Sequence, residues 1–174
     1  MRKPNDFYPT PMSVVFKMLD ELRWSGCVWE PCAGDDRLVN ELRARNFVVV
    51  SGDISTGEDF FKFEAAPVTT LITNPPFRYI RPFIDHAFKI GVSRMALVCG
   101  ERLWACEKGR KQFERHRPSR FINMSWREDY LGKGGSPDRA LAVSIWETPH
   151  SEHCRFEVWS KSGQEQRQAE LSFS

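Results

Sequence analysis

The chain has 174 residues, 41% hydrophobic and 13% aromatic, with 25 Lys or Arg against 23 Asp or Glu and a formal net charge of +2. Such a length holds a real core and such a composition excludes a disordered chain, while no apolar run approaches a membrane span and no signal-peptide segment follows the first residues. The five cysteines, Cys27, Cys32, Cys99, Cys106 and Cys154, form no Cys-x-x-Cys pair, which argues for reduced thiols and a cytoplasmic setting rather than a disulfide framework.

Asn5 to Pro11 reads as extended or turn-like, because each proline disfavours helix in the residue before it. Thr10 is placed to cap the helix that follows and Pro11 to occupy its first position. Val14, Val15, Met18, Leu19 and Leu22 then recur at helical spacing along one face. Gly26 ends this segment. Cys27 to Trp29 is a short buried strand running into the small-residue turn Glu30-Pro31-Cys32-Ala33-Gly34-Asp35-Asp36, and Leu38 to Arg45 is helical. Phe47 to Val50 is an apolar run of parallel-strand type that ends at Ser51-Gly52-Asp53. Phe60, Phe61 and Phe63 suit a core or a pocket wall. Thr69 to Thr73 is a strand stopped by Asn74-Pro75-Pro76-Phe77, since two prolines continue neither a sheet ladder nor a helix.

A helix from about Arg81 to Ile90 follows, with Ile80, Phe83, Ile84, Ala87 and Phe88 on one side. Next come a strand at Met95 to Cys99, a basic helical or looped stretch from 102 to 117, and strands at Phe121 to Met124 and Ala140 to Trp146. Phe156 to Trp159 is expected to pair with the last of these as a hairpin across Pro149 to Cys154, and the polar tail to be mobile. The alternation predicts an α/β fold: a doubly wound, mostly parallel sheet with a C-terminal antiparallel hairpin. We expect a single domain over residues 1–160 and a tail over 161–174.

In such a sheet the carboxyl ends of adjacent strands share one rim, where ligands bind. The small residues after Glu30 let a backbone approach a ligand closely, and the next helix N-terminus favours a carboxylate or phosphate. The same turn also serves as a plain strand-to-helix connection. Asp53, about 20 residues further on, has the spacing of an acid that accepts from both hydroxyls of a ribose, although a solvated turn acid looks the same. On one rim with Asn74, these turns point toward an adenosine site.

The ordered series Tyr8-Pro9-Thr10-Pro11, Trp29 to Asp35, Asp53, Asp59-Phe60 and Asn74-Pro75-Pro76-Phe77 resembles the S-adenosylmethionine-dependent amino-methyltransferases. It is most similar to the small adenine-N6 DNA methyltransferases of phages and prophages, over roughly residues 5 to 147. The resemblance implies a Rossmann-like methyltransferase fold and S-adenosylmethionine as cofactor. It implies that Thr10, Pro11, Glu30, Cys32, Ala33 and Gly34 line the cofactor's methionine end, that Asp53 holds its ribose, and that Asp59 and the Phe60 main chain meet its adenine. One position departs from the pattern. Asp36 stands where family members usually have glycine, which puts a side chain and a charge near the cofactor's carboxylate.

The resemblance also makes Asn74, Pro75, Pro76 and Phe77 catalytic. An exocyclic amine is a poor nucleophile because its lone pair is delocalised into the ring. Acceptors at Asn74 and the Pro75 carbonyl favour a pyramidal nitrogen, the prolines keep both aimed, and Phe77 offers a face to the extruded base. The same turn suits any planar amino group, so RNA or a protein glutamine amide is an alternative substrate. A cofactor-binding or DNA-binding module without turnover is another reading.

Between Arg102 and Arg127 eight Lys or Arg residues face only two acids. Arg102, Lys108, Arg110, Lys111 and Arg115 are therefore candidates for contacting nucleic-acid phosphates, the alternative being a solvated basic helix. Gly132 to Pro137 reads as a mobile loop able to close on substrate. His150-Ser151-Glu152-His153-Cys154 matches no zinc spacing, so no metal is expected and a connecting loop is the simpler reading. Oligomeric state is open between monomer and homodimer.

Overall fold

The computed structural model describes residues 10–128 and 139–161. Tyr8 and Pro9, the Gly132 to Pro137 loop and the tail from residue 162 lie outside the described residues. The strands are β1 (Cys27–Glu30), β2 (Val48–Ser51), β3 (Thr70–Thr73), β4 (Arg94–Gly100), β5 (Arg120–Glu128), β6 (Arg139–Trp146) and β7 (Arg155–Trp159). The helices are α1 (Met12–Glu21), α2 (Arg37–Ala44), α3 (Ile80–Lys89) and α4 (Glu107–Arg115). All seven strands form one sheet of order β2-β1-β3-β4-β6-β5-β7. The first four pair in parallel, and β6 runs antiparallel to both its neighbours.

Alternation along the central strands divides the core between the two sheet faces. Val28, Ile72, Ala96, Val98, Val143 and Ile145 face α1 and α2, where Val14, Met18, Leu38 and Leu42 are buried with them. Trp29, Leu71, Met95, Leu97 and Trp146 face α3, packing with Ile80, Phe83, Ile84 and Ala87. Helix α2 connects β1 to β2 and α3 connects β3 to β4, on opposite faces of the sheet, while short turns alone link β2 to β3. The doubly wound, mostly parallel sheet is therefore present.

Two local expectations are corrected. The C-terminal antiparallel pair is β5 with β6, not β6 with Phe156 to Trp159. Strand β7 instead lies parallel to β5 at the sheet edge, Arg120 to Met124 matching Arg155 to Trp159. The reason is edge availability: β6 is inserted between β4 and β5 and has no free edge, whereas β5 has one. A two-pronged ion pair fixes the new edge, Arg120 Nε to Glu157 Oε1 at 2.7 Å and Arg120 Nη2 to Glu157 Oε2 at 2.9 Å. At the other end of the chain, α1 begins at Met12 with Pro11 as its flanking residue, and no side chain caps it. The Thr10 hydroxyl lies 3.5 Å from Asn74 Nδ2 instead.

Candidate active site

Strands β1, β2 and β3 end side by side, and the turns beyond these three ends build the site. Glu30, the last residue of β1, is 1% exposed. Its Oε1 accepts the Cys32 N–H at 2.8 Å and a short hydrogen bond from the Thr73 hydroxyl. Its Oε2 is buried with no partner among the described residues. Burial above all pushes the Glu30 carboxyl up to about 8, assisted by the nearby Asp53 charge and opposed by the Thr73 and Cys32 hydrogen bonds. Burial likewise pushes the Cys32 thiol far above its ordinary range, with the Glu30 charge second. Cys32 is thus a neutral wall residue, not a nucleophile.

Beyond Glu30 the chain turns twice through left-handed backbone, at Gly34 (φ 57°) and Asp36 (φ 61°). Glycine takes that conformation without penalty and aspartate is one of the few other residues that tolerates it. The Asp36 side chain is exposed. Asp53 closes the turn from the β2 side: the Gly34 N–H donates to its Oδ2 at 3.0 Å, while the Ser55 N–H (2.8 Å) and hydroxyl (2.6 Å) donate to Oδ1. Burial pushes the Asp53 carboxyl up, but the Ser55 and Gly34 donors outweigh it and hold the carboxyl below its ordinary value. It is a charged acceptor with room on Oδ2 for another donor.

A cleft of about 420 Å³ opens beside these turns. Cys32, Asp53, Asp59, Phe60 and Pro76 line it, with Arg78 and Tyr79 at the same wall. The Phe60 ring is committed to the core, stacked on Phe83 at 3.8 Å. Asp59 caps the following turn by accepting the Phe61 N–H at 3.0 Å. At the end of β3, Asn74 Oδ1 is buried and has no partner among the described residues. Pro75 is buried, the Pro76 carbonyl accepts the Tyr79 N–H at 2.9 Å, and half-buried Phe77 packs on the core cluster beneath α1. Glu30 Oε2 and Asn74 Oδ1 are buried oxygens at neighbouring strand ends with no hydrogen-bond partner among the described residues. Buried polar atoms left unpaired cost stability, so the site suits a ligand whose donors can pair them, such as an ammonium or an amine.

No protein-family model and no curated protein matches the sequence. Solved structures do. A Listeria monocytogenes protein assigned to the class I S-adenosylmethionine-dependent methyltransferases superposes with a TM-score of 0.62 at 11% identity, covering 94% of this chain and 69% of that one. The fold is that of the class I methyltransferases. An Agrobacterium tumefaciens protein assigned as an O-methyltransferase (TM-score 0.45, 12% identity, 85% of each chain) and the precorrin-6y C5,15-methyltransferase of Geobacter metallireducens (0.47, 13%, 85% and 93%) overlap too loosely to add to this.

The class I fold places the sequence-derived residues unevenly. Cys32, Asp53, Asp59, Phe60 and Pro76 line the cleft, and Glu30 and Gly34 are hydrogen-bonded to lining residues, Cys32 and Asp53 respectively, whereas Asn74, paired with Thr10, and Ala33, whose N–H reaches the Gly52 carbonyl, stand outside the lining. Pro11 is buried at the start of α1. The sequence did not mark Ile54, Ser55 and Glu58, which also line the cleft, nor Thr73, Arg78 and Tyr79. Thr73 read only as a strand former, and Arg78 and Tyr79 carried no motif signal, although their position directly after the proline turn is a usable one. Of the basic candidates, Arg110 pairs with Glu107 (2.9 Å) and Glu114, Lys111 with Glu107 (3.8 Å) and Arg115 with Asp85 (3.3 Å). Arg102 and Lys108 form no ion pair among the described residues. No described helix is long and apolar enough to cross a membrane, and the described residues hold no cluster of three metal-ligating side chains.

The carboxyl of Glu30 gives a pH prediction. Its folded value, about 8, lies above its ordinary 4.5. The stabilisation from its neutral form is therefore complete below the ordinary value and is lost as pH rises through the folded one. Glu30→Gln is neutral at every pH. Its stability relative to wild type should rise between pH 5 and pH 8, on the order of 3 kcal/mol at about 1.4 kcal/mol per unit, measured by urea denaturation without ligand. A difference independent of pH would show that Glu30 is already ionised.

Proposed function

We propose that this chain binds S-adenosylmethionine in the rim cleft and transfers its methyl group to the N6 amine of an adenine extruded from DNA. The observation that carries the reading is the buried Asn74 Oδ1, without a partner among the described residues, on a proline-stiffened turn at the strand end next to Glu30, whose Oε2 likewise lacks one. The class I fold supports the cofactor. The order and type of the rim residues support an amine as acceptor.

When bound, the cofactor supplies an electrophilic sulfonium methyl. Asp53 accepts from the ribose hydroxyls through the free side of Oδ2, Asp59 and the Phe60 main chain meet the adenine, and Glu30 Oε2 receives the ammonium. Asn74 Oδ1 and the Pro75 carbonyl each accept one N–H of the target amine, which turns its lone pair toward the methyl. The prolines fix the separation of the two acceptors, so no reorganisation is needed at the moment of reaction. No base of raised pKa is required before transfer, because the proton leaves only after the nitrogen has become cationic. The half-buried Phe77 flanks the place of the base.

DNA would reach the site across the loop after β4. The Arg81 guanidinium donates to the Leu103 carbonyl and lies 3.3 Å from Cys106 Sγ, holding the start of α4 against the start of α3. Arg102 and Lys108 stand on that junction and Arg78 lines the cleft. These cations, rather than the paired ones further along α4, are the phosphate contacts in this reading. The double variant Arg102→Ala, Lys108→Ala should bind duplex DNA about tenfold more weakly at low salt. Its plot of log affinity against log salt should be shallower by about two units, whereas Arg110→Ala, Lys111→Ala should change little. Fluorescence anisotropy across a salt series decides this, and the opposite ranking would move the DNA path to the outer face of α4. Transfer of labelled methyl groups to DNA tests the reading as a whole; label confined to RNA or to a protein glutamine would replace the substrate.

A further inference from the structure

The ends of β1 and β3 meet in a polar group that sheet packing alone does not require. Glu30 Oε1 receives two hydrogen bonds, from the Cys32 N–H and the Thr73 hydroxyl, while Oε2, equally shut off from water, receives none among the described residues. With Oε1 saturated by donors, the proton of the neutral carboxyl resides on Oε2. Thr73 is 0% exposed. It directly precedes Asn74, whose Oδ1 is also buried and has no partner among the described residues. The titratable groups facing Glu30 are the Cys32 thiol, held neutral by burial, and the Asp53 carboxylate, held ionised by its Ser55 and Gly34 donors.

We propose that a ligand ammonium enters against Glu30 Oε2 and drives the Glu30 proton out to solvent, and that Thr73 is the positioning residue tying this newly formed carboxylate to Asn74. The inference rests on reading the cleft as a site for S-adenosylmethionine, whose amino-acid end carries such an ammonium. One O–H bond breaks, its proton passes to the buffer, and an ion pair takes its place. An ionised Oε2 without a cation would be an uncompensated buried charge, and an ammonium beside a neutral carboxyl would be nearly as costly. Ionisation and binding are therefore one event. A hydroxyl donates more strongly to a carboxylate than to a carboxylic acid, so occupation tightens the link from β1 to the residue that precedes the catalytic amide. The strand end is drawn into register when the cofactor is in place.

Titration calorimetry of the full chain with S-adenosylmethionine at pH 6.5, in phosphate and in a buffer of much larger ionisation enthalpy, tests this. Wild type should show apparent enthalpies that differ by the contribution of about one released proton. Glu30→Gln should bind with a buffer-independent enthalpy. Thr73→Val should bind about tenfold more weakly, from the loss of a hydrogen bond to a charged group, and Thr73→Ser should restore both affinity and proton release. Melting curves accompany each variant. A purely structural Thr73 would lower the melting temperature of Thr73→Val without weakening binding by the folded protein. Buffer-independent enthalpies for wild type, or wild-type affinity in Thr73→Val, overturn the proposal while leaving the cofactor reading intact. Absence of heat from wild type at millimolar cofactor overturns the cofactor reading and the proposal with it.

Discussion

Methyl transfer by Asn74→Ala should fall about 10²- to 10³-fold in kcat, the usual consequence of deleting one preorganised polar group at a reacting centre, while cofactor affinity changes little. The asymmetry arises from the contacts Asn74 makes in the folded chain. Among the described residues its Oδ1 has no partner and its Nδ2 makes only the long contact of 3.5 Å with the Thr10 hydroxyl. Removing the amide strands no donor elsewhere, so stability should change by less than about 1 kcal/mol. The cofactor contacts proposed for Glu30 and Asp53 are untouched. Single-turnover transfer of labelled methyl groups measures the first quantity and calorimetry the second. Full activity in the variant would remove Asn74 from the chemistry and the amine-transfer reading with it.

The second large effect is expected at Asp53. Asp53→Ala deletes the acceptor for the Gly34 N–H, the Ser55 N–H and the Ser55 hydroxyl, and with it the proposed ribose contact. Hydrogen bonds to a charged group are worth about 1.5–3 kcal/mol each, so losing the ribose contact weakens cofactor about 10- to 100-fold. The unpaired rim donors cost roughly another 1–3 kcal/mol of stability, less where water reaches them. The carboxyl is held below its ordinary 3.8 by Ser55 and Gly34 against the opposing effect of burial. Its stabilisation is therefore present above that value and lost as pH falls through the lowered one. The stability gap between wild type and Asp53→Ala should close in acid, as urea denaturation will show. A variant that loses stability yet binds cofactor like wild type would confine Asp53 to holding the turn.

Most of the rim was legible in the sequence because each strand is a short apolar run ended by residues that cannot continue it: Pro31 after Glu30, Gly52 after Ser51, Pro75 after Asn74. Those stops fix where side chains leave the sheet, and the order of strands along the chain brings them to one edge. The features that stayed hidden depend on contacts between distant residues. The partner of β7 was misjudged because proximity along the chain favours β6, while nothing in Phe156 to Trp159 reveals that β6 already has two neighbours. Helix α4 was ambiguous because it docks without an apolar stripe. Gly109 has room for no side chain, a Cβ there falling 2.6 Å from the Leu103 carbonyl oxygen, and Gln112 Nε2 donates to the Arg81 carbonyl at 2.7 Å. Counting charges overstated the basic surface, since Asp85 on α3 neutralises Arg115 from another element. Thr73 escaped notice because a buried threonine in a strand looks like any β-branched residue until its hydroxyl is seen on Glu30.

The central claim is methyl transfer to adenine N6, and the direct measurement is nucleoside mass spectrometry on DNA from a host without its own adenine methylation, expressing wild type or Asn74→Ala. The account predicts N6-methyladenine in the wild-type DNA and none above background in the variant. Soluble, cofactor-binding wild-type protein in a host whose DNA remains unmethylated would contradict it.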